Sequence, residues 1–326
     1  MQSWTHEIEA ITYGPGSADV VFVEMQMKSF DQLGWIGLGN MGSRVAKRLI
    51  NAGYPLIVYD RNRSKAEELA SHGAEVAAGP VELAVAADVI FSCVNDGAAV
   101  QSVYFGENGV LRSAKPGAHI VEMSTVAPET SADLFRAGRD FGVLVSDVAI
   151  SGSTPAAESG SLTLFGGGDR EAFDSIAPIF PAIAKQWFYM GPSGSGVAMK
   201  LVVNALLGVG MQAIAEAIAF GRQLGLPRDL LFDTLSKTAV VAPAHLGKLS
   251  TAKQNDYTAQ FPLRLMRKDF DLILSKAAEL RVEMPTTVAA SERNAVEAAR
   301  SEEEDFAAVI RLMERLTERR SLPSTA

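Results

Sequence analysis

The sequence predicts an α/β fold in which an N-terminal doubly wound sheet is followed by an all-α helical domain. A strand, a glycine-rich turn, a helix and a second strand occupy residues 33–60, and strand and helix patterns alternate from there to about residue 190. Beyond Gly196 only helical patterns remain. A chain of 326 residues is also long for a single hydrophobic core, which favours two domains.

The composition favours a small-molecule partner. The chain has 30 Lys and Arg against 38 Asp and Glu, a net charge of −8, which argues against a nucleic-acid-binding surface. The single cysteine, Cys93, excludes a disulfide framework or a cysteine metal cluster and fits a reducing, cytoplasmic setting. The four histidines follow no metal-ligand spacing, so no metal is predicted.

We expect residues 1–30 to be a loosely ordered leader. They hold four acidic residues and lack the basic segment and small-residue cleavage site of a signal or transit peptide. Val20 to Val23 has the composition of a short strand, which leaves a functional arm as the alternative. Lys200 and Glu216 interrupt the longest apolar run, so no stretch reaches the roughly 18 residues of a membrane span. We therefore expect a soluble protein without a membrane partner.

The first predicted elements form a βαβ unit. Apolar strands at 33–36 and 56–59 flank a helix, and the turn before that helix reads GLGNMG. In such a turn the first glycine allows the bend, the second lets a pyrophosphate approach the backbone, and the third lets helix and strand pack closely. The phosphates would meet the free amides of the helix N-terminus. The predicted cofactor-binding residues of the turn are Gly37, Leu38, Gly39, Asn40, Met41 and Gly42.

Glycine turns are common, so the dinucleotide interpretation also depends on the second strand. That strand ends in Asp60, roughly 20 residues after the first glycine, where dinucleotide-binding folds place an acidic side chain against the ribose. Residues 33–60 together therefore predict a dinucleotide site of the Rossmann type.

The other elements of the first half alternate in the same way. Pro128 is predicted to open a helix, because proline is accepted in the first helical turn. The predicted helices otherwise cover 64–71 and 98–104, and the predicted parallel strands cover 88–94, 118–123 and 142–147. Two further strands are predicted near the far edge of the sheet, at 162–165 and 187–190.

The second half reads as helices only. They are predicted at 197–224, 228–237, 265–280, 284–299 and 305–319. We expect the domain boundary near Gly191 to Gly194, which divides the chain into a leader (1–30), a dinucleotide-binding domain (31–193) and a helical domain (194–320). The long first helix is expected to line the cleft between the two domains.

Lys200 is the most informative single residue. Nearly all its neighbours are apolar, and a lysine in a buried helix is costly unless it is paired or used. Gly196, Lys200 and Asn204 are spaced to share one helix face. One interpretation is a lysine whose ammonium reaches solvent at the start of the helix. The other is a cleft lysine that transfers a proton to or from a substrate oxygen, with Asn204 one turn away.

Polar residues follow two predicted strands, at the edge where open sheets bind ligands. One group is Ser151, Gly152 and Ser153, within the run DVAISGST, and the other is Ser124 and Thr125. Their hydroxyls and free amides would hold a substrate carboxylate. The alternative is an ordinary serine-glycine turn that binds nothing. Both groups are expected on the same side of the sheet as the glycine turn.

Between Leu33 and Leu316 the chain resembles the β-hydroxyacid dehydrogenases, which include 3-hydroxyisobutyrate dehydrogenase, tartronate semialdehyde reductase and the glyoxylate/succinic semialdehyde reductases. Five motifs carry the resemblance in order: GLGNMG (37–42), EMSTVAPET (122–130), DVAISGSTPAAESGSL (147–162), GSGVAMKLVVN (194–204) and KDFDL (268–272). Two details resemble the glyoxylate/succinic semialdehyde reductase branch: Ser153 replaces the usual second glycine, and FPL (261–263) precedes the last motif.

The resemblance implies a role for each matching residue. Lys200 is implied to be the catalytic general acid/base and Asn204 to orient it. The implied substrate-binding residues are Ser124, Thr125, Ser151, Gly152, Ser153, Phe261 and Asp269. The implied cofactor-binding residues beyond the glycine turn are Asp60, Arg61, Asn62, Lys65, Val94, Asn95, Thr125 and Lys268. Ala149 stands where the family usually has proline, which leaves the substrate open.

The run DRNRSK (60–65) gives conflicting indications about the cofactor. An acid at the strand end binds the 2′-hydroxyl of NAD, whereas arginines after it pair with the 2′-phosphate of NADP. Arg61 occupies the position of the arginine in the motif of the NADPH-using branch, and Arg63 and Lys65 add positive charge. We therefore predict NADP, with NAD as the alternative.

The implied activity is the reversible reduction of a short aldehyde or keto acid that carries a carboxylate, with hydride from a nicotinamide. A 3-hydroxyisobutyrate or tartronate semialdehyde type dehydrogenase that uses NAD is the alternative within the family. A non-catalytic dinucleotide-binding module and an imine reductase are alternatives of other kinds, but their relatives generally lack the lysine that Lys200 supplies. The expected partners are a small-molecule substrate and, through the helical domain, further copies of the chain.

Overall fold

The computed structural model describes residues 30–320. The predicted leader, apart from its last residue, lies outside the described residues. The strands are β1 (Leu33–Ile36), β2 (Leu56–Tyr59), β3 (Glu75–Val76), β4 (Val89–Ser92), β5 (His119–Glu122), β6 (Leu144–Ser151), β7 (Leu162–Gly168) and β8 (Ala184–Gly191).

Helices cover the sheet and form the second half. In the sheet half they are α1 (Gly42–Asn51), α2 (Arg63–Ala70), α3 (Pro80–Ala86), α4 (Gly97–Tyr104), α5 (Val110–Ser113), α6 (Pro128–Asp140), α7 (Thr154–Ser159) and α8 (Arg170–Ile176). In the helical half they are α9 (Ser195–Gln223), α10 (Arg228–Leu235), α11 (Pro243–Lys253), α12 (Leu263–Glu279), α13 (Pro285–Ser301) and α14 (Val309–Arg320). Short 3₁₀ helices cover Ala177–Ala182 and Phe306–Ala308.

The strands form one sheet in the order β3-β2-β1-β4-β5-β6-β7-β8, and the prediction of a Rossmann sheet followed by a helical domain is confirmed. The strands that were predicted to be parallel pair in parallel, whereas β7, for which no direction was predicted, is antiparallel to β6. Their connection holds only α7 and a few flanking residues. A parallel return needs a crossover of about a dozen residues or more, so this short connection reverses the chain.

Strand β6 is longer than its sequence pattern indicates. It was predicted to end at Asp147 but continues to Ser151, because Val148 to Ser151 pair with β7. Residues 148–151, which the sequence suggested to be a loop, are therefore the last part of a strand. Along β6 successive side chains alternate between the two faces of the sheet.

Two hydrophobic clusters cover the two faces of the sheet, and a third forms the centre of the helical half. Trp35 and Phe91 stack at 5.6 Å in the first cluster. Val197 and Leu201, from the start of α9, pack in the second cluster. Later residues of α9, such as Met211, belong to the third. The 29-residue helix α9 therefore joins the sheet to the helical half.

Among the described helices, α9 alone is long and apolar enough to cross a membrane by length and composition. The sequence pattern had suggested that Lys200 and Glu216 make the apolar run too short to span a membrane. This prediction is wrong, because α9 meets the criterion although it contains both residues. Half of its most apolar 18-residue window is buried inside the fold.

Candidate active site

The glycine turn after β1 has the geometry that the approach of a phosphate requires. Gly37 has a φ of +92°, and a Cβ there would lie 2.3 Å from the carbonyl oxygen of Cys93. A Cβ on Gly42 would lie 2.0 Å from the carbonyl oxygen of Gly37. Both positions therefore exclude any side chain. Gly39 faces open space, with nothing within 4 Å of where its Cβ would be, so a pyrophosphate can reach this backbone at the start of α1.

The backbone groups of the other turn residues are hydrogen-bonded to neighbouring elements. The amide of Leu38 donates to Oδ2 of Asp60 at 2.7 Å. The carbonyl of Asn40 accepts from Nη1 of Arg44 at 2.8 Å, and that of Met41 accepts from the amide of Val45. The turn is therefore fixed to both α1 and the end of β2.

Asp60 joins two backbone segments rather than standing free. Besides Leu38, it accepts a hydrogen bond at Oδ1 from the amide of Asn62 at 2.8 Å. The side chains of Arg61 and Lys65 are exposed. By contrast, Arg63 is paired with Glu67 of the same helix at 2.9 Å.

Lys200 lies on the second turn of α9 and is half-buried. Burial lowers the pKa of its ammonium to about 8. Asp269 opposes this shift, whereas the positive charge of Lys268 adds to it, and Cys93 is a further neighbour. None of the described residues accepts a hydrogen bond from its Nζ. A lysine with this pKa can both give and take a proton near neutral pH.

A chain of polar contacts connects Asn204, one turn after Lys200 on α9, to the loop after β5. Asn204, which is 1% exposed, donates from Nδ2 to Oδ2 of the equally buried Asp269 at 2.5 Å. Oδ1 of Asp269 lies 3.0 Å from Nζ of Lys268. Lys268 also donates to the carbonyl oxygen of Thr125, in the sheet half, at 2.6 Å. Asn204 is thus bonded to Asp269 rather than to Lys200, so any effect it has on the lysine passes through this carboxylate.

The ends of β4 and β5 are joined through Ser124. Its hydroxyl accepts a hydrogen bond from the amide of Val94 at 2.8 Å, and its own amide donates to Oε1 of Glu122 at 2.9 Å. Burial raises the pKa of Glu122 to about 7, against the opposing hydrogen bonds from Ser124. Asn95 is exposed beside Val94. The loops that were predicted to hold cofactor and substrate are therefore linked.

Two further predicted groups are the residues at the end of β6 and Phe261, and neither is hydrogen-bonded or ion-paired to Lys200. Ser151 ends β6, and Gly152 then has a φ of +146°, followed by Ser153 immediately before α7. Phe261 precedes α12, where its ring meets Phe306 edge-on at 5.7 Å.

The position of Phe261 is set by its own backbone. Its amide donates to Oδ2 of Asp305 at 3.0 Å, and its carbonyl accepts from the amide of Phe306. Asp305 in turn forms a buried ion pair with Lys248 at 2.7 Å. These contacts connect the loop before α12 to Asp305 and Phe306.

Two buried carboxylates near the site were not identified from the sequence as functional. Asp147 and Glu122 lie in quoted motifs, yet no role was predicted for either. A signal was present, because each is an acidic residue directly beside an apolar strand residue, Val121 or Val148. Among the described residues no group of three or more His, Cys, Asp or Glu side chains could hold a metal ion.

Two family models match the chain. Residues 32–191 match the NAD-binding domain of 6-phosphogluconate dehydrogenase. Residues 194–313 match a model described as "NAD-binding of NADP-dependent 3-hydroxyisobutyrate dehydrogenase". Together the two matches cover most of the chain.

Named relatives and a solved structure are also similar. Glyoxylate/succinic semialdehyde reductase 1 of Arabidopsis thaliana is 35% identical over 86% of this chain and 97% of its own length. The cytokine-like nuclear factor N-PAC of Drosophila melanogaster is 34% identical over 78% of this chain, but over only 42% of its own length. A crystal structure of 3-hydroxyisobutyrate dehydrogenase from Salmonella typhimurium has a TM-score of 0.80 at 27% identity, covering 86% of this chain and 99% of that one.

Proposed function

The chain belongs to the β-hydroxyacid dehydrogenase family, and we propose that it reduces a short aldehyde bearing a carboxylate, such as glyoxylate or succinic semialdehyde. It is an NAD(P)-dependent dehydrogenase acting on a small-molecule substrate. The named activity of the Arabidopsis relative supports this choice of substrate. A 3-hydroxyisobutyrate or tartronate semialdehyde type dehydrogenase that uses NAD is the alternative within the family.

The observation that carries the proposal is the environment of Lys200. In a reduction, negative charge grows on the carbonyl oxygen as hydride reaches the carbon, and an adjacent ammonium can stabilise that charge and then give its proton to the oxygen. The lowered pKa, about 8, makes the reverse proton transfer accessible as well. Asn204 and Asp269, which are hydrogen-bonded to each other, are buried near the lysine. The nicotinamide, when bound, supplies or accepts the hydride.

The substrate carboxylate would be held at the sheet edge. Ser124 and Thr125 follow β5, Ser151 is the last residue of β6, and Gly152 and Ser153 follow it. Hydroxyls and free amides at the carboxyl ends of strands suit a small anion. We propose that these residues bind the carboxylate while the carbonyl faces Lys200, with Phe261 closing the site from the helical half.

We propose NADPH as the preferred cofactor. Arg61, shortly after β2, and Lys65, in the first turn of α2, are exposed, and neither forms an ion pair with a described residue. Asp60 already accepts two backbone hydrogen bonds, which reduces its capacity to bind a ribose hydroxyl. A free arginine there suits the 2′-phosphate.

The proposal is tested by replacing Lys200. Single-turnover oxidation of NADPH with glyoxylate, or with succinic semialdehyde, is followed by nicotinamide absorbance in wild type, Lys200→Ala and Lys200→Arg. We expect a loss of about 10²–10⁴-fold in Lys200→Ala, the usual contribution of general acid catalysis, while NADPH binding persists. Lys200→Arg should recover little, because a guanidinium does not readily give up its proton.

Lys237→Ala is the matched control, since Lys237 is an exposed lysine of the helical half, and its rate should equal that of wild type. A rate in Lys200→Ala within about threefold of wild type, far less than the expected loss, would mean that another residue is the acid. Failure of wild type to reduce either aldehyde would instead reject the substrate class.

We further propose that the protein acts as a homo-oligomer in the cytoplasm. The outer face of α9 carries large exposed apolar side chains, and Leu206 is 72% exposed. We take these exposed apolar side chains as the candidate interface. The single thiol, Cys93, is free, in keeping with a reducing compartment.

A further inference from the structure

The start of α9 is held by a carboxylate from the sheet. Oδ1 of Asp147 accepts a hydrogen bond from the amide of Gly194 at 2.7 Å, and Oδ2 accepts one from the amide of Val197 at 3.1 Å. These are amides of the helix cap and first turn, where a local side chain normally accepts. No side chain of the α9 terminus caps this helix. Asp147, about fifty residues earlier in the chain, does so instead.

Glycines enclose this carboxylate so closely that α9 has little freedom to shift. A Cβ on Gly167 would lie 2.7 Å from Oδ1 of Asp147. A Cβ on Gly196 would lie 2.3 Å from the carbonyl oxygen of Phe165 and 2.9 Å from Oδ2 of Asp147. Asp147 itself is 1% exposed. The helix backbone therefore rests directly on β6 and β7.

The same strand carries the proposed substrate anchor. Asp147, Ala149 and Ser151 alternate onto one face of β6, and Ala149 packs in one cluster with Val197 and Leu201 of α9. Lys200 follows Val197 within one helical turn. The contacts of β6 with the start of α9 thus set where the lysine lies relative to the end of β6.

We propose that Asp147 is a positioning residue, which fixes Lys200 relative to the substrate loop that begins at Ser151. This inference rests on the proposed function for the role of Lys200. It adds that the distance between the proton donor and the carboxylate anchor depends on Asp147, a residue that contacts neither the substrate nor the cofactor. A displacement of about 1 Å at a catalytic group can lower a rate on the order of 10²-fold.

Two variants displace the start of α9 by different means. Asp147→Asn keeps the shape of the side chain but turns an NH₂ group toward one of the amide donors. Gly196→Ala retains the carboxylate and adds a methyl group where no room exists. Asp169→Asn is the matched control, because Asp169 also accepts hydrogen bonds from first-turn amides, as the local N-cap of α8, and α8 carries none of the proposed site residues.

The first measurement is the titration of Lys200, followed by ¹³C NMR of reductively methylated lysines, with Lys200→Ala to assign its signal. The groups that act on Lys200 are Asp269 and Lys268 from α12 and Cys93 after β4, and all three remain in every variant. We expect both α9 variants to move the titration midpoint from about 8 toward the ordinary 10.5, since water reaches the displaced ammonium. Asp169→Asn should leave it unchanged.

The second measurement is single-turnover NADPH oxidation with glyoxylate. We expect a loss on the order of 10²-fold in both α9 variants, with KM for glyoxylate nearly unchanged. Unchanged titration and rate in folded Asp147→Asn and Gly196→Ala would overturn the inference, as would failure of both variants to fold, which would assign Asp147 to stability alone. If Lys200→Ala is active, the proposed function is rejected instead. The NMR titration then still tests whether Asp147 positions Lys200.

Discussion

At the scale of single residues, the pKa of Lys200 determines how the reaction should respond to pH. Burial favours the neutral amine, so the pKa falls to about 8. Below this value the lysine holds the proton that reduction consumes. Above it the lysine is neutral and can accept the proton that oxidation releases. With Lys200 as the proposed acid/base, we therefore expect the two directions of the reaction to depend on pH in opposite ways.

We expect the single-turnover rate of reduction to be level below about pH 8 and to fall above it, while the rate of alcohol oxidation rises through the same range. Rates measured in both directions between about pH 6 and pH 10 test this. The residual rate of Lys200→Ala should lack this inflection. Reduction that stays constant up to pH 10 in wild type would show that Lys200 is not the titrating acid.

Cofactor preference is also decided by single side chains. Arg61→Ala should weaken NADPH binding on the order of 1.5–3 kcal/mol and leave NADH binding unchanged, because only NADPH offers a phosphate for a charge-assisted contact. Fluorescence titration with both cofactors measures this. Arg63→Ala is the control, since Arg63 is already paired with Glu67. Equal weakening of both cofactors would make Asp60 and NAD the better interpretation.

Some residue roles are visible in the sequence and others are not. Lys200 stands out because it is a charge in an apolar helix, and Gly37 and Gly42 because of their spacing. The hydrogen-bond partners of Asp147 and Glu122 cannot be predicted from the sequence. Asp147 meets amides about fifty residues away, and Glu122 meets the hydroxyl of Ser92 from the neighbouring strand. Such pairs exist only after the strands have been ordered into a sheet.

At the scale of elements, periodicity predicts those that are long and regular. The βαβ unit and the long helix α9 agree with the sequence pattern to within a few residues. The two-residue strand β3 and the helices α3, α5, α7, α8 and α11 were not predicted, because short or weakly amphipathic segments carry little signal. The last four residues of β6 were predicted as a loop because their strand character depends on pairing with β7.

At the scale of the whole molecule, contacts between the two halves form the site. Lys268 bonds to the carbonyl of Thr125 at 2.6 Å, and Lys276 pairs with Glu129 at the start of α6. Each joins α12 to a loop or helix that follows β5. The sequence located both halves, yet their relative placement comes from these contacts between distant residues. The domain limits at 31–193 and 194–320 remain predictions.

The outer face of α9 leads to the last prediction, which concerns assembly. Val202, Leu206 and Phe220 are 57%, 72% and 66% exposed and lie along one side of the helix. An isologous pair of chains would bury each copy of this face against the other. Removing apolar surface from water contributes roughly 25 cal/mol per Å² to the free energy of association, so burial of this face favours pairing.

We therefore expect wild type to sediment as an oligomer and the double variant Leu206→Glu/Phe220→Glu to sediment as a smaller species, because pairing would bury unpaired charges. Analytical ultracentrifugation over a range of concentrations measures this. Val85→Glu is the control, since Val85 is an exposed apolar side chain of α3, in the sheet half; it should sediment as wild type does. A monomeric wild type would reject assembly altogether, and an unchanged oligomer in the double variant would place the interface elsewhere. Circular dichroism of the double variant separates loss of assembly from loss of folding, because a dissociated chain keeps its helical signal.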